Sequence, residues 1–412
     1  MDPGEVKYEP VSVKAVLSEM KDTAELLIDL SYSAVLHGSD QVAAEVLTLE
    51  EQMDILQLKA RMSLLMSART TEDAEALAPV LGVVGAAEKI SDAAGDIAKI
   101  VLEDIGLPEA MRAALPEAVE VVVRAELAEG TPYDGRTLEE INMETETGVR
   151  IIAIRQAQPT GKTGWLTNPG PETTLHTGDV VILRGRSEGL ETVYESATGH
   201  PYEVPDAPDP TIDDLGRAVD SIVLMKNMSE LAVDLAYGAV LFDSEGVAEE
   251  VHELEAEVDA LQSRFEAWVL RAAARVEDPI SLRGLVHLAT ATEEISDAAL
   301  EISEGVLRGL DTHPVVAAAV EESDEIIVRL TVAEGSTLAD ATLAERMVKT
   351  ETGMRVIAVR RPESAAERNG GDWVVSPGPT TELHAGDVVI AKGTRAGAER
   401  LSELAGDPQE FE

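Results

Sequence analysis

Twelve carboxylates stand out by their spacing. Glu25/Asp29, Glu50/Asp54 and Glu88/Asp92 are each four residues apart, and so are Glu230/Asp234, Glu255/Asp259 and Glu293/Asp297. In a helix, spacing i, i+4 puts both side chains on one face. Three such faces converging in a bundle would make an oxygen-rich cation site. An all-carboxylate set suits Mg²⁺ or Ca²⁺, with iron or manganese as alternatives. The opposing reading is a solvated acidic face. A like-charge pair at this spacing costs only about 0.2–0.5 kcal/mol, and in molar salt the screening length is about 3 Å. Spacing alone leaves both readings open.

A second set is basic. Arg150 and Arg155 bracket an apolar run in ETGVRIIAIR, and Arg355 and Arg360 bracket its near copy, ETGMRVIAVR. On a regular strand, residues five apart face opposite sides, so only one of each pair is expected to line a shared pocket. The planar guanidinium fork suits phosphate; a neighbouring carboxylate is the alternative in so acidic a chain. Asn168 could pair with a base edge, although its counterpart is Ser376. His176 and His384 stand two residues before Gly-Asp in the turn into a closing strand, where a histidine either senses pH or is a solvated turn residue. Gly161-Lys162-Thr163 is no phosphate loop, because Gln156 occupies the position of the first required glycine. The sequence has no nucleophile–base pair, no H-E-x-x-H and no glycine-rich dinucleotide fingerprint, which argues against an enzyme.

These residues recur because the chain is duplicated. ETGMRVIAVR lies 205 positions after its mate, and SPGPTTELHAGDVVI lies 208 positions after NPGPETTLHTGDVVI. Lys21, Glu25, Asp29 and Tyr32 match Lys226, Glu230, Asp234 and Tyr237 at the first offset. Each unit of about 200 residues is long enough for its own core. Residues 11–110 show helical periodicity, with Leu17, Met20, Ala24, Leu27, Ile28 and Val35 on one face. Val42, Val46, Leu49, Met53, Leu56 and Met62 form another, and a third face runs from Val80, after Pro79, to Leu102. These predict an antiparallel bundle of three or four helices. Residues 117–198 read as a small β-α-β-β-β module. A Pro-rich linker spans 199–212. A second bundle (213–312) and a second module (322–405) follow. The fold class is α+β in two tandem units.

The net charge is −45, from 78 acidic against 33 basic residues. Such a chain repels phosphate backbones, so nucleic acid is not expected as a partner. There is no cysteine, hence no disulfide framework. No apolar run reaches the ~18 residues of a membrane span. Residues 1–10 read as a leader without the pattern of a signal peptide. The location expected is cytoplasmic, peripheral to the inner membrane face if a partner holds it there.

The acid-rich, Lys-poor composition resembles that of proteins from salt-accumulating halophiles. The helical halves resemble PhoU domains. The β modules resemble TrkA-C domains, the ligand-sensing half of potassium-conductance regulators, through the E-T-G motif before a strand, the P-G-P turn and the H-[TA]-G-D-V-V-I closing strand. PhoU members bind metal through E/D-x-x-x-D motifs, which implies that role for the twelve carboxylates. TrkA-C domains dimerise, and some bind cyclic di-AMP between two copies, which implies a homodimer or an intramolecular pseudo-dimer. The dinucleotide-binding domain usual in these regulators is missing from the sequence, which speaks against NAD or ATP gating. The implied function is a regulatory subunit of a membrane cation transporter or channel, for potassium, sensing a small ligand or a cation. The alternative is a metal-binding adaptor in phosphate or divalent-cation transport.

Overall fold

The computed structural model describes residues 12–67, 70–108, 111, 121–157, 163–167, 169–185, 187–202, 212–309, 314–316, 318, 325–361, 373–375 and 377–407. The leader, most of the linker, Gly161-Lys162, Asn168 and Ser376 lie outside them.

Three long helices open the chain: α1 (Val13–His37), α2 (Asp40–Ser67) and α3 (Thr71–Leu102). Ser12 caps α1 by accepting from the Ala15 N–H, and Gly38 ends it in the left-handed region at φ 55°, where glycine escapes the Cβ penalty. The first apolar face, from Leu17 to Val35, is buried, as are Val42 to Leu56 on α2; Met62 is only half-buried. The first β module follows as β1 (Val121–Glu126), α4 (Leu138–Ile141), α5 (Met143–Thr147), β2 (Arg150–Ala157), β3 (Thr163–Thr167), β4 (Val180–Gly185) and α6 (Ser187–Thr198). The second unit repeats this with α7 (Asp213–Phe242), α8 (Glu245–Ala273), a 3-10 turn (Pro279–Leu282) and α9 (Arg283–Leu307). Its module comprises β5 (Glu325–Thr331), β6 (Ala341–Thr342), α10 (Val348–Thr352), β7 (Arg355–Arg360), β8 (Trp373–Val375), β9 (Glu382–Leu383), β10 (Val388–Thr394) and α11 (Arg395–Ala405). No helix among the described residues is long and apolar enough to cross a membrane.

Each module carries a four-stranded antiparallel sheet, ordered β1-β4-β2-β3 in the first and β5-β10-β7-β8 in the second. The closing strand is therefore central, and its apolar run is buried from both sides: Val180 to Leu183 and Val388 to Ala391. The two bundles meet along α3 and α9.

Three sequence expectations need correction. Each module ends in a further helix, α6 in the first and α11 in the second, and the second module adds the short strand pair β6–β9. Leu190, Val193 and Ala197 of α6, and Ala398, Leu401 and Ala405 of α11, are buried at i, i+3, i+7, a stripe too short to stand out beside the strand before it. The one helix expected between the first two strands of the module is broken into α4 and α5 at Asn142, which has φ 49°. Finally, α3 does not begin after Pro79 but passes through it. An interior proline removes one N–H and costs about 3 kcal/mol; here the ring is absorbed into the α3–α9 contact, where a Cβ on Gly305 would come within 3.3 Å of it.

One glycine in each module packs its last helix against the end of the short helix before the inner strand, α6 on α5 and α11 on α10. A Cβ on Gly189 would stand 2.3 Å from the Thr147 carbonyl oxygen, and one on Gly397 would stand 2.5 Å from that of Thr352. Backbone cannot yield to such contacts as a side-chain tip can. Gly189→Ala and Gly397→Ala should therefore each cost about 2–3 kcal/mol by urea denaturation, in the overpacking range. Gly82→Ala, in α3 with nothing within 4 Å, should instead stabilise by about 0.5–1 kcal/mol.

Candidate functional site

The first acidic motif of each unit does not face the other acids. Glu25 and Asp29 on α1, and Glu230 and Asp234 on α7, face the sheets, and basic side chains meet them there. Arg184 of β4 pairs with Asp29 at 3.0 Å. Its equivalent, Lys392 of β10, pairs with Asp234 at 2.6 Å and with Glu25 of the other unit at 3.2 Å. Arg355 of β7 completes the set on Asp234 at 2.9 Å. One turn back on each helix, Lys21 pairs with Glu25 at 2.9 Å and Lys226 with Glu230 at 2.5 Å. Burial pushes the Glu230 carboxyl up, but Lys226, Arg184 and Arg355 outweigh it and hold the group below the ordinary carboxylate range.

The two central helices also interlock. Lys21 lies over the Tyr237 ring at 5.4 Å from its centroid, and Lys226 over the Tyr32 ring at 5.0 Å. Such cation–π contacts strengthen once desolvated. The pseudo-symmetry breaks at the hydroxyls. Tyr32 hydrogen-bonds Thr292 at 2.7 Å. At the position equivalent to Thr292 stands Ala87, and the buried Tyr237 hydroxyl has no hydrogen-bond partner among the described residues.

A β-bulge decides where the predicted arginines go. In β2 the pairing with β4 slips between Ile151 and Ala153, and in β7 the same slip occurs opposite Ile390 and Ala391. One inserted residue restores the parity, so Arg150 and Arg155 share a face, and Arg355 and Arg360 do likewise, against the expectation from strict alternation. They still diverge in use. Arg150 and Arg355 line one cleft of about 70 Å³ between the modules, with Arg184, Lys392, Lys349, Glu144 and Asp234. Arg155 is turned to α2 instead, where it pairs with Glu45 at 3.2 Å, and Trp165 donates its indole N–H to that same carboxylate. Arg360 is half-buried at the far end of β7. His176 and His384 sit in matching turns, where their backbone N–H groups donate to Asp179 and Asp387, both at 2.8 Å. Their rings are exposed, 64% and 45%.

The remaining acids lie on the bundle helices at half-buried to exposed positions, Asp54, Asp92 and Asp259 being exposed. In the second unit, Glu255, Asp259 and Asp297 offer carboxylate oxygens within 4.8 Å of one another. Glu293, one turn from Asp297, is pushed up to about 7 by burial and by Asp297, Asp259, Glu294 and Glu255. The first unit's version holds cations: Lys99 approaches Glu50 at 3.9 Å, and Arg61 approaches Glu88 at 3.7 Å. Their equivalents in the second unit are Glu304 and Glu266. Burial, with Asp92, Asp96 and Asp54, still raises Glu50 against the pull of Lys99, and Asp92 is raised by burial, Glu88, Asp54 and Asp96. Lys89 ties the two bundles together through Glu301 at 2.6 Å.

Sequence reasoning missed Arg184, Lys392, Lys21 and Lys226 as site residues. The signal was present in VVILRG and VVIAKG: a basic residue at one position of an otherwise apolar strand, twice.

The structure is a duplicated acidic chain whose sheets are fastened to its bundles by ion pairs. Two family models match this architecture. That for the PhoU domain matches residues 17–101 and 222–306, and that for the TrkA-C domain matches 122–198 and 327–406. The chain is made of alternating PhoU and TrkA-C domains, two of each. These are regulatory and adaptor families, associated with ion transport. No curated protein matches the sequence. Among solved structures, PhoU from Pseudomonas aeruginosa is 13% identical with a TM-score of 0.38, covering 72% of this chain and 96% of that one. The GsuK RCK domain is 15% identical (TM-score 0.18, covering 72% and 69%), and the GsuK channel bound to NAD is 17% identical (0.19, covering 70% and 53%). Likeness at this level leaves the assignment to the two family models.

Two outcomes follow. Lys392→Met should destabilise the fold by about 2 kcal/mol, the scale of a buried charge-assisted bond, more than the same change at the half-exposed Lys89. The Glu293 carboxyl is held above its unfolded value, so the folded state binds the extra proton and stability falls as pH rises from about 4.5 to about 7. Thermal melts across pH 5–8 should show that fall, and Glu293→Gln should flatten it.

Proposed function

We propose that this protein is a regulatory subunit of a membrane cation transporter or channel, potassium being the cation. A small ligand such as cyclic di-AMP is sensed between the two TrkA-C modules, and the PhoU bundles relay the change to the membrane partner. The observation that carries this reading is the double contact of Lys392. One side chain of the second module holds Glu25 of the first bundle and Asp234 of the second. Any displacement of that module must therefore break or re-form ion pairs on both central helices. The cleft between modules supports a ligand role by its charge, five cations (Arg150, Arg184, Lys349, Arg355, Lys392) against Glu144 and Asp234. At about 70 Å³ it is smaller than a ligand of nucleotide size, which needs roughly 300 Å³ or more. A ligand seated there selects a more open arrangement, and that differential affinity is what moves the equilibrium. Nothing in this mechanism requires catalysis.

A second reading, a metal-binding adaptor in phosphate or divalent-cation transport, is favoured by the convergence of Glu255, Asp259 and Asp297. Equilibrium dialysis against Mn²⁺ or Mg²⁺ tests it: one tight ion per chain, lost in Asp297→Asn, supports the adaptor.

For the first reading, uptake of ⁸⁶Rb⁺ should change severalfold when the coding region is deleted. It should return with the wild-type chain and return incompletely with Lys392→Met at equal protein level. Uptake indifferent to the deletion would falsify the potassium assignment.

A further inference from the structure

Helix α2 is apolar on two opposite sides. Leu49, Met53, Leu56 and Ala60 are buried in the first bundle. Ile55, Leu58, Met62 and Leu65 follow one another at spacings of three, four and three residues. At about 100° per residue this second row stands on the side away from the core. Met62 belongs to it, which is why it is only half-buried rather than part of the inner face. Ile55 and Leu58 are exposed, Leu65 is 71% exposed and its neighbour Met66 is 66% exposed. Single exposed apolar residues are ordinary on a protein surface, whereas an aligned row of them marks a contact.

The second unit shows that the bundle folds without this row. Its α8 carries Ala260, Ser263 and Ala267 at the places of Ile55, Leu58 and Met62, all three exposed, and keeps only Leu270 in place of Leu65. The packing of α8 is the same as that of α2, so the outer row of α2 is a property of the first unit and not a requirement of the fold.

The spacing is that of a coiled-coil seam. With Ile55 at heptad position a, Leu58 is d, Met62 is the next a and Leu65 the next d. A β-branched residue at a with leucine at d favours two parallel strands. The flanking charges select the same arrangement. Asp54 stands at g and Lys59 at e, on either side of the row, and neither has an ion-pair partner among the described residues. In a parallel, in-register pair, g of one helix meets e five residues further along the other. Asp54 of each copy then meets Lys59 of the other, two complementary pairs about one axis. An antiparallel pair bringing the same four apolar residues together sets Lys59 against Lys59 and Arg61 against Arg61, and such like-charge contacts disfavour that partner geometry.

We propose that two copies of this chain associate through α2, parallel and in register, with Ile55, Leu58, Met62 and Leu65 as the seam. The row spans only about 17 Å along the helix, so the affinity is that of a small reversible interface, on the order of micromolar. Asp54, one of the twelve spaced carboxylates, acts there as a pairing charge and not as a metal ligand. Helix α8 takes no part, so the duplicated chain dimerises through one of its two bundles and does not polymerise through both.

Sedimentation equilibrium of the full chain in 0.15 M KCl, over a series of protein concentrations, tests this. A reversible monomer–dimer equilibrium is expected. Ile55→Ala/Leu58→Ser/Met62→Ala, which installs the second unit's own residues, should weaken it at least about tenfold while far-UV circular dichroism stays that of the folded chain. Lys59→Asp should weaken it through the like charge, and Asp54→Lys added to Lys59→Asp should restore it, a rescue that only the parallel register gives. Because the chain has no cysteine, Leu65→Cys carries a single thiol, which mild oxidation should couple to its own counterpart; Leu270→Cys, the equivalent in α8, should remain monomeric. A chain that stays monomeric throughout the series overturns the proposal and leaves the row to a helix of a different protein. A dimer indifferent to the triple change, or one that the charge swap fails to rescue, overturns it as well.

Discussion

The constraint on which the rest depends is that a chain carrying 78 acidic residues has few cations to spend, and it concentrates them where the sheets meet the helices. Lys21, Lys226, Arg184, Arg355 and Lys392 surround four carboxylates on two neighbouring helices. In the partly desolvated centre each pair is screened far less than on the surface, and removing any single member leaves an opposite charge exposed to a low dielectric. The acids on the outer surface need no such partner, because water and counterions solvate them. The same residue type thus has two fates, set by burial.

Much of this could be read from the chain itself. The duplication, the bundle–module alternation and the buried stripes of α1 and α2 follow from periodicity, which is local information. The conserved positions of the closing strand were visible as a repeat, but their partners were not, since Asp29 and Arg184 lie 155 positions apart and only the fold brings them together. The face that Arg155 presents was misread for a different reason. Alternation is a property of a regular strand, whereas a bulge is decided by the strand opposite. For the acids, identical spacing in all six motifs concealed three environments: ion-paired at the sheets, shared with Lys99 and Arg61 in the first bundle, and clustered in the second.

The two units differ in the partners they give to equivalent side chains. Tyr32 has Thr292 where Tyr237 has Ala87; Glu50 has Lys99 where Glu255 has no equivalent cation; Asn227 stands opposite Asp22 in the repeat. The scaffold residues, such as Gly189 and Gly397 against their carbonyls, stayed the same in both halves. Packing geometry tolerates little change, because backbone atoms cannot retreat, while charge at a solvated rim is almost free to drift.

Glu144 and Lys349 occupy the same place in the two modules, and both line the narrow cleft between them. Had the modules belonged to separate identical chains, this position would have placed glutamate against glutamate or lysine against lysine. Covalent linkage removes that choice. Every molecule carries one of each, held at a high effective concentration at fixed one-to-one ratio, so unlike charges face each other without any selection among subunits. Fusion of the two units thus does for this protein what a heterodimer would do through recognition, and a strand break in the linker would turn a guaranteed pairing into a competition among three possible assemblies.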